Sequence, residues 1–175
     1  MLWIIGAGNV ILAPTPPESR ESTVGVWVSS FLREETVSDF SLTYGGSSQG
    51  NATHFYGVWS DPQRMPSAHM ILGYGDASDL KEVVLYVKGT GKYRIQLLYQ
   101  RGEQHYMTQR VVEASDDWSP VVLNPQEGVA VVGGLLSRPG TTFPLKVVIL
   151  PYANKETGEV SRTFDLSVSP VFTVR

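Results

Sequence analysis

The stretch EVVLYVKGTGKYRIQLLYQ, residues 82–100, contains the clearest strand signals of this chain. It contains two runs that are rich in β-branched and aromatic residues, separated by Gly89-Thr90-Gly91. Residues of these types favour strands, and a short glycine-containing segment between two such runs is typical of a hairpin turn. The sequence therefore predicts a β-hairpin over residues 82–100.

The same pattern of short strand-like runs continues on both sides of this stretch. Turn signals recur about every 8–12 residues, which is the spacing of β-sandwiches and barrels. The 17 glycines and 11 prolines of the chain supply those turns. No window keeps an apolar period of 3.6 residues, so long helices are not expected. The sequence predicts an all-β fold, an antiparallel β-sandwich of about ten to twelve strands.

Composition excludes several classes of protein. Hydrophobic residues make up 42% and charged residues 18% of the chain, which is too apolar for a disordered protein and too sparsely charged for a coiled coil. The chain has no cysteine, and therefore no disulfide scaffold, cysteine nucleophile or iron–sulfur ligand. Its net charge of −3 lacks the basic footprint of a nucleic-acid-binding protein. A β-rich globular domain remains.

The N-terminal run LWIIGAGNVILA, residues 2–13, is the most apolar part of the chain. It is shorter than the about 20 residues that a membrane-spanning helix requires. We expect residues 1–20 to form an apolar segment with a proline-rich connector, and residues 21–175 to form one sandwich domain. The apolar segment is either a buried strand or a short anchor on a membrane or partner protein. The candidate anchor residues are Leu2, Trp3, Ile4, Ile5, Val10, Ile11 and Leu12.

A second hairpin is predicted directly after residue 100, with residues 101–103 as its loop. In that register Arg94 lies opposite Arg110, and Gln96 lies opposite Thr108. Because side chains alternate between the two faces of a strand, one face of this hairpin is polar and the other apolar. An ordinary solvated sheet face and a ligand-binding face both fit this pattern. The candidate binding residues on the polar face are Arg94, Gln96, Tyr106, Thr108 and Arg110.

Trp59 is a further candidate binding residue. It ends the run HFYGVWS and precedes Asp61-Pro62, a loop entry, so we expect its ring to be exposed. An exposed aromatic ring can stack on a sugar through its apolar face. By contrast Trp118, at the start of a predicted strand, is expected in the core.

No catalytic constellation is present in the sequence, and we expect no enzymatic activity. The three histidines lack metal-ligand spacing, and there is no nucleophile elbow of the type G-x-S-x-G. The close acidic pairs, Asp76 with Asp79 and Asp116 with Asp117, are explained by turn chemistry. No cofactor is predicted. A structural calcium ion held by oxygen ligands of these loops stays an open alternative, and nothing in the spacing fixes its site.

Four segments carry a resemblance to a known family. They are GGSSQG (residues 45–50), HFYGVWS (54–60), DASDLKEVVLYVKGTGKYRIQLLYQ (76–100) and DDWSPVVLN (116–124). Together they resemble the domain of complex I intermediate-associated proteins. They are also similar, more distantly, to family-11-type carbohydrate-binding modules. The resemblance covers about half of the chain and implies a non-catalytic jelly-roll sandwich of the galactose-binding-like type.

Two functions follow as expectations. The first is a protein-interaction module, an assembly factor or extrinsic accessory subunit of a larger, membrane-bound, electron-transfer complex. The apolar N-terminus, the resemblance and the lack of catalytic residues favour this function. We also expect a location at a membrane periphery or outside the cytoplasm. The alternative is a carbohydrate-binding module that recognises a polysaccharide through the polar hairpin face and Trp59.

Overall fold

The computed structural model describes residues 9–11, 21–22, 25–38, 40–44, 47–48, 51–131 and 143–175. Almost all regular structure within these residues is β-strand, joined by two short 3₁₀ helices at Pro62–Arg64 and Pro125–Glu127. The strands are β1 (Asn9–Ile11), β2 (Glu21–Ser22), β3 (Val28–Ser30), β4 (Arg33–Val37), β5 (Phe40–Tyr44), β6 (Ser47–Ser48), β7 (Ala52–Val58), β8 (Ser67–Tyr74), β9 (Glu82–Thr90), β10 (Lys92–Arg101), β11 (Gln104–Glu113), β12 (Ser119–Leu123), β13 (Val129–Ala130), β14 (Pro144–Pro151), β15 (Thr163–Val168) and β16 (Phe172–Val174).

These strands form a two-layered sandwich with a small additional sheet. A six-stranded sheet has the order β13-β11-β10-β14-β8-β3, and a seven-stranded sheet has the order β2-β16-β9-β15-β7-β4 with β12 also paired to β9. The third sheet is β1-β5-β6. The strand pairs of the two large sheets are antiparallel. The predicted fold, an antiparallel β-sandwich of jelly-roll type, is confirmed.

The core lies between the two large sheets and follows from alternation along their strands. On β10 and β14 every second residue is buried, as expected for strands that cover the core with one face only. The central strand β9 differs, because its residues 83–87 are all buried. Leu85 faces the core between the sheets, whereas Tyr86 packs on the outer side with Phe40 and Trp118. The prediction that Trp118 is a core residue is confirmed.

The prediction of a hairpin over residues 82–100 is wrong. The two strands exist, but β9 belongs to the seven-stranded sheet and β10 to the six-stranded sheet. The segment between them carries the chain from one layer to the other, with Gly91 at a φ of 97°. Strand β9 is buried on both faces and is paired along both edges, by β12 on one side and by β15 and β16 on the other. No edge of β9 is therefore left for β10.

The second predicted hairpin exists, but its register is shifted by one residue. Its loop contains two residues, Gly102 and Glu103, because Arg101 pairs with Gln104. Gly102 makes this short loop possible with a φ of 57°, a conformation that glycine adopts without a steric penalty. A shift of one residue moves every side chain of a strand to the other face.

The N-terminal residues are described only at Asn9–Ile11, which form β1. This strand pairs in parallel with β5, where Asn9 lies opposite Phe40 and Ile11 opposite Leu42. Val10 and Ile11 are therefore strand residues of this chain's own small sheet. The other candidate anchor residues, Leu2, Trp3, Ile4, Ile5 and Leu12, lie outside the described residues. No helix in the described part of the chain has the length and apolar character needed to cross a membrane.

Candidate functional site

The outer surface of the six-stranded sheet carries a continuous set of outward side chains over five strands. We refer to it as the open face and define it by two rows of outward side chains that cross adjacent strands in register. The first row is Gln109, Gln96, Val148, His69 and Val28. The second row is Met107, Leu98, Lys146 and Ile71.

Five strands contribute to the open face, from β11 to β3. Neighbouring strands lie about 4.8 Å apart, so the first row extends over about 19 Å. At the rim the face is continued by Val111 and Tyr74, which are exposed, as are Val28 and Ile71. Aliphatic and polar side chains thus both occur on a surface long enough for several units of an extended polymer.

Two amides lie together at one end of the first row. The Gln96 side chain donates from Nε2 to Oε1 of Gln109 at 3.4 Å. Each amide keeps further donor and acceptor capacity, because a primary amide can make about four hydrogen bonds. Planar amides with free capacity are suited to hydroxyl groups, which both donate and accept.

Lys146 and His69 lie in the middle of the face, on the adjacent strands β14 and β8. Neither side chain makes a hydrogen bond or an ion pair with another residue in the described ranges. Both are half-buried. A cation and an imidazole are therefore presented to the solvent side of the sheet without a partner from the described part of the chain.

Arg94 lies beside these rows and is held by its own chain. Its Nη2 donates to the carbonyl of Ala153 at 3.3 Å, and its guanidinium lies 5.7 Å from the ring centroid of Tyr152. Lys92 packs over the same ring at 4.1 Å and forms an ion pair with Glu159 at 3.5 Å. Arg94 is thus oriented by Tyr152 at the border of the open face.

The predicted set of binding residues is divided between two faces. Arg94 and Gln96 point outward, as predicted. Tyr106, Thr108 and Arg110 point to the inner side of the sheet, because Thr108 lies opposite Leu97 rather than Gln96. The prediction that all five share one face is therefore wrong, and the cause is the shortened hairpin loop.

The three inward residues have partners inside the protein. Tyr106 stacks on Tyr99 with ring centroids 5.6 Å apart, and Thr108 is only 6% exposed. Arg110 forms an ion pair with Glu127 at 3.0 Å and donates to the carbonyl of Val122 at 3.3 Å. These contacts join β11 to the following strand and 3₁₀ helix, which is a structural role.

Trp59 is buried, in contrast to the expectation of an exposed ring. It is 8% exposed, and its Nε1 donates to the carbonyl of Ser161 at 2.9 Å. The guanidinium of Arg162 lies 4.5 Å from its ring centroid and covers it. The indole therefore links the end of β7 to the segment before β15 through a hydrogen bond, and its ring is not free to contact a ligand.

A cluster that sequence reasoning missed lies on the outer side of the seven-stranded sheet. Both ring nitrogens of His54 make hydrogen bonds with carboxylates. Nδ1 lies 2.8 Å from Oε1 of Glu35, and Nε2 lies 2.6 Å from Oδ1 of Asp165. Tyr56 stacks on the imidazole at 5.0 Å. Partial burial alone would lower the pKa of His54, but the two carboxylates outweigh it and raise the pKa above 6.5. The cluster joins the neighbouring strands β4, β7 and β15.

The signal for this cluster was weak in the sequence. β4 has the sequence REETV, in which four exposed residues hide the alternation that identifies a strand. Without β4, Glu35 has no predicted position near His54. An exposed Phe31 at a φ of 62° makes the corner between β3 and β4, beside a cleft of about 480 Å³ that Tyr56 and Val58 also line.

No metal centre is formed by the residues that the structure describes, since they contain no group of three or more His, Asp or Glu side chains placed around one point. Asp76 behaves as a turn residue, as predicted, whereas the carboxylate of Asp79 forms an ion pair with Arg175 at 2.6 Å. Oδ1 of Asp76 accepts from the Ser78 hydroxyl, the Ser78 amide and the Gly102 amide, and these hydrogen bonds lower the pKa of Asp76. Asn124 caps a 3₁₀ helix by accepting from the amide of Gln126.

No protein-family model matches the chain, and no curated protein matches it. Solved structures do. The family 11 carbohydrate-binding module of the cellulosomal cellulase Lic26A-Cel5E of Clostridium thermocellum is similar, with 10% identity, a TM-score of 0.52 and 86% of each chain covered. A family 11 module from Clostridium thermocellum in complex with a β-1,3-1,4-mixed-linked tetrasaccharide has 12% identity and a TM-score of 0.50. That match covers 86% of this chain and 88% of the other.

At this identity the similarity establishes the fold. It supports the jelly-roll β-sandwich and gives no support to a complex I intermediate-associated domain.

Proposed function

We propose that this protein is a non-catalytic carbohydrate-binding module that binds a polysaccharide along the open face. The observation that carries the proposal is the pair of rows across five and four strands, in which amide, imidazole and ammonium groups lie among aliphatic side chains. A sugar ring has the same two characters, with hydroxyls at its edge and C–H groups on its faces.

The structural neighbours support this proposal over a protein-interaction module. Both are carbohydrate-binding modules by name, and one holds an oligosaccharide. The interaction-module interpretation depended on an anchor in residues 2–12 and on the resemblance to an assembly-factor family. Val10 and Ile11 pair within the chain instead, and the comparisons do not support that family.

The inner residues of the sandwich are excluded as a ligand site by burial, which leaves the open face and the clefts near β4. The open face is favoured because it is continuous over several strands. A cleft of about 480 Å³ beside Phe31 is lined by Leu32, Arg33, Tyr56 and Val58, and a second cleft of about 450 Å³ is lined by polar residues that include Glu34, Glu35, Thr36, Asn51 and Thr53. Both clefts offer polar groups, but neither presents a row of side chains in register over five strands. Hydrogen bonding to hydroxyls is the property that distinguishes a sugar from an apolar ligand.

The test is affinity electrophoresis against a panel of soluble polysaccharides, repeated with the double variant Gln96→Ala/Gln109→Ala. Each lost amide hydrogen bond costs about 1 kcal/mol, so the double variant is expected to bind about tenfold or more weakly. The matched control is Gln63→Ala/Gln126→Ala, which removes two exposed amides away from the open face. Equal retardation of both double variants, or no retardation of the wild type by any polysaccharide, would contradict the proposal.

A further inference from the structure

We infer that the polysaccharide bound by the open face is acidic, and that a uronate carboxylate of its chain lies against Lys146 and His69. The inference rests on the proposed function and adds the chemical class of the ligand to it. Three observations carry it: the charges of the six-stranded sheet, the positions of the two side chains, and the partners of the other cations.

The charges are distributed unevenly between the two sheets. Asp and Glu are more numerous than Lys and Arg in the whole chain, 17 against 14. Yet in the six-stranded sheet only one acidic residue, Glu113, occurs in a described strand, at the far end of β11. The seven-stranded sheet, by contrast, has acidic residues on β2, β4, β9 and β15. The open face itself contains a lysine and a histidine and no carboxylate.

Lys146 and His69 are diagonal neighbours across the strand pair β14–β8. Lys146 lies opposite Ile71, and His69 lies opposite Val148, which is two residues further along β14. Diagonal neighbours on one face have Cα atoms about 7 Å apart, within reach of long side chains. One carboxylate can therefore contact the ammonium of Lys146 and a ring nitrogen of His69 at the same time.

Lys146 is a half-buried cation without a carboxylate partner among the described residues, whereas Lys92, which is similarly buried, has one in Glu159. Arg110, Arg64 and Arg175 also have carboxylate partners. Partial burial of a charge without a partner is unfavourable. A carboxylate on the ligand would supply the missing partner and form a charge-assisted hydrogen bond. A neutral sugar would leave this cost in place.

Gln96 and Gln109 complete the site with groups for neutral hydroxyls. They belong to the same row as His69, separated from it by Val148. A ligand that crosses the strands along this row would meet amides at one end and His69 towards the other, with Lys146 in the adjacent row. The arrangement fits a polymer whose rings carry both hydroxyls and carboxylates.

The experiment compares polygalacturonate with the same polymer after methyl esterification, using isothermal titration at low ionic strength. A neutral mixed-linkage β-glucan serves as a second neutral ligand. We expect binding to polygalacturonate, and a loss of at least about tenfold on esterification, because a charge-assisted contact contributes more than about 1.4 kcal/mol. The variant Lys146→Gln, which removes the charge and keeps a polar side chain one atom shorter, should weaken binding of the acidic polymer to a similar extent.

Lys155→Gln is the matched control, since it removes an exposed lysine outside the open face. It should bind polygalacturonate as the wild type does, and neither variant should have a melting temperature below that of the wild type. Equal or tighter binding of the esterified polymer or of the β-glucan would overturn the inference and leave the proposed function standing. Equal effects of the two lysine variants would also overturn it. Binding to no polysaccharide of either charge would overturn both proposals.

Discussion

At the scale of single residues, His54 links the stability of the sheet to pH. Its pKa is raised because hydrogen bonds and charges from Glu35 and Asp165 outweigh the effect of burial. The folded protein therefore holds this proton more tightly than the unfolded chain does. The contribution of His54 to stability is complete below its unfolded pKa of 6.5 and is lost as the pH rises through the raised value.

We expect urea unfolding of the wild type to show a decrease in stability as the pH rises from about 6 to about 8. The variant His54→Gln cannot take up a proton in this range and should lose that part of the pH dependence. His69→Gln is the control, because the His69 side chain contacts neither carboxylate of the cluster. If His54→Gln kept the wild-type slope, the two carboxylates would not be coupled to His54 in solution.

Trp59 and Trp118 have nearly the same burial, 8% and 7% exposed, but different surroundings at Nε1. Trp59 donates to the carbonyl of Ser161. Nε1 of Trp118 is buried without a hydrogen-bond partner among the described residues. Replacement by phenylalanine should therefore cost about 1 kcal/mol more at Trp59, where a hydrogen bond is lost and a carbonyl is left unpaired.

The measurement is the free energy of unfolding of Trp59→Phe and Trp118→Phe, together with polysaccharide binding by both. Trp59→Phe should bind as tightly as the wild type, since its ring is covered by Arg162. Weaker binding by a variant that is still folded would restore the sequence-based hypothesis that Trp59 contacts the ligand.

At the scale of elements, the close approach of β9 to β15 depends on Gly89. A Cβ atom at this position would lie 2.2 Å from the carbonyl oxygen of Asp165, which belongs to the neighbouring backbone and cannot rotate away. Gly89→Ala must separate the two strands locally, and we expect a loss of about 3 kcal/mol of stability.

Gly73→Ala in β8 is the control for this variant. A Cβ atom at Gly73 has no neighbour within 4 Å, and the residue does not need a positive φ. In chemical denaturation, Gly89→Ala should unfold at a clearly lower denaturant concentration than Gly73→Ala. Equal midpoints would show that β9 and β15 are not held as closely as the structure places them.

The same elements show which parts of the fold the sequence could predict. Strands such as β10 and β14 were identifiable because their alternation is set by one buried face. Pairing was identifiable only for β10 with β11, and there the register was wrong by one residue. A glycine-flanked turn such as Gly89-Thr90-Gly91 can close a hairpin or carry the chain between layers, and the choice depends on strands far away in the sequence. The register of β10 and β11 depended on a single loop residue, and that residue decided the face of Tyr106, Thr108 and Arg110.

At the scale of the whole molecule, net charge and local charge act in opposite directions on an acidic ligand. The chain carries a net charge of −3, which repels a polyanion at long range. The open face has Lys146 at its centre and no carboxylate, so its attraction acts at short range. Salt separates these two effects, because the screening length is about 30 Å at 0.01 M and about 3 Å at 1 M salt.

We therefore expect the affinity for polygalacturonate to depend on salt in two stages. From about 0.01 M to about 0.1 M salt the long-range repulsion is screened and contacts of a few ångströms are not, so affinity should hold or increase. Towards about 1 M the contact between the carboxylate and Lys146 is weakened as well, and affinity should fall. In the variant Lys146→Gln most of the fall in affinity towards about 1 M salt should be absent. Affinity of the wild type that rises continuously up to 1 M salt would mean that repulsion by the whole molecule dominates, and that the open face makes no direct contact with a carboxylate.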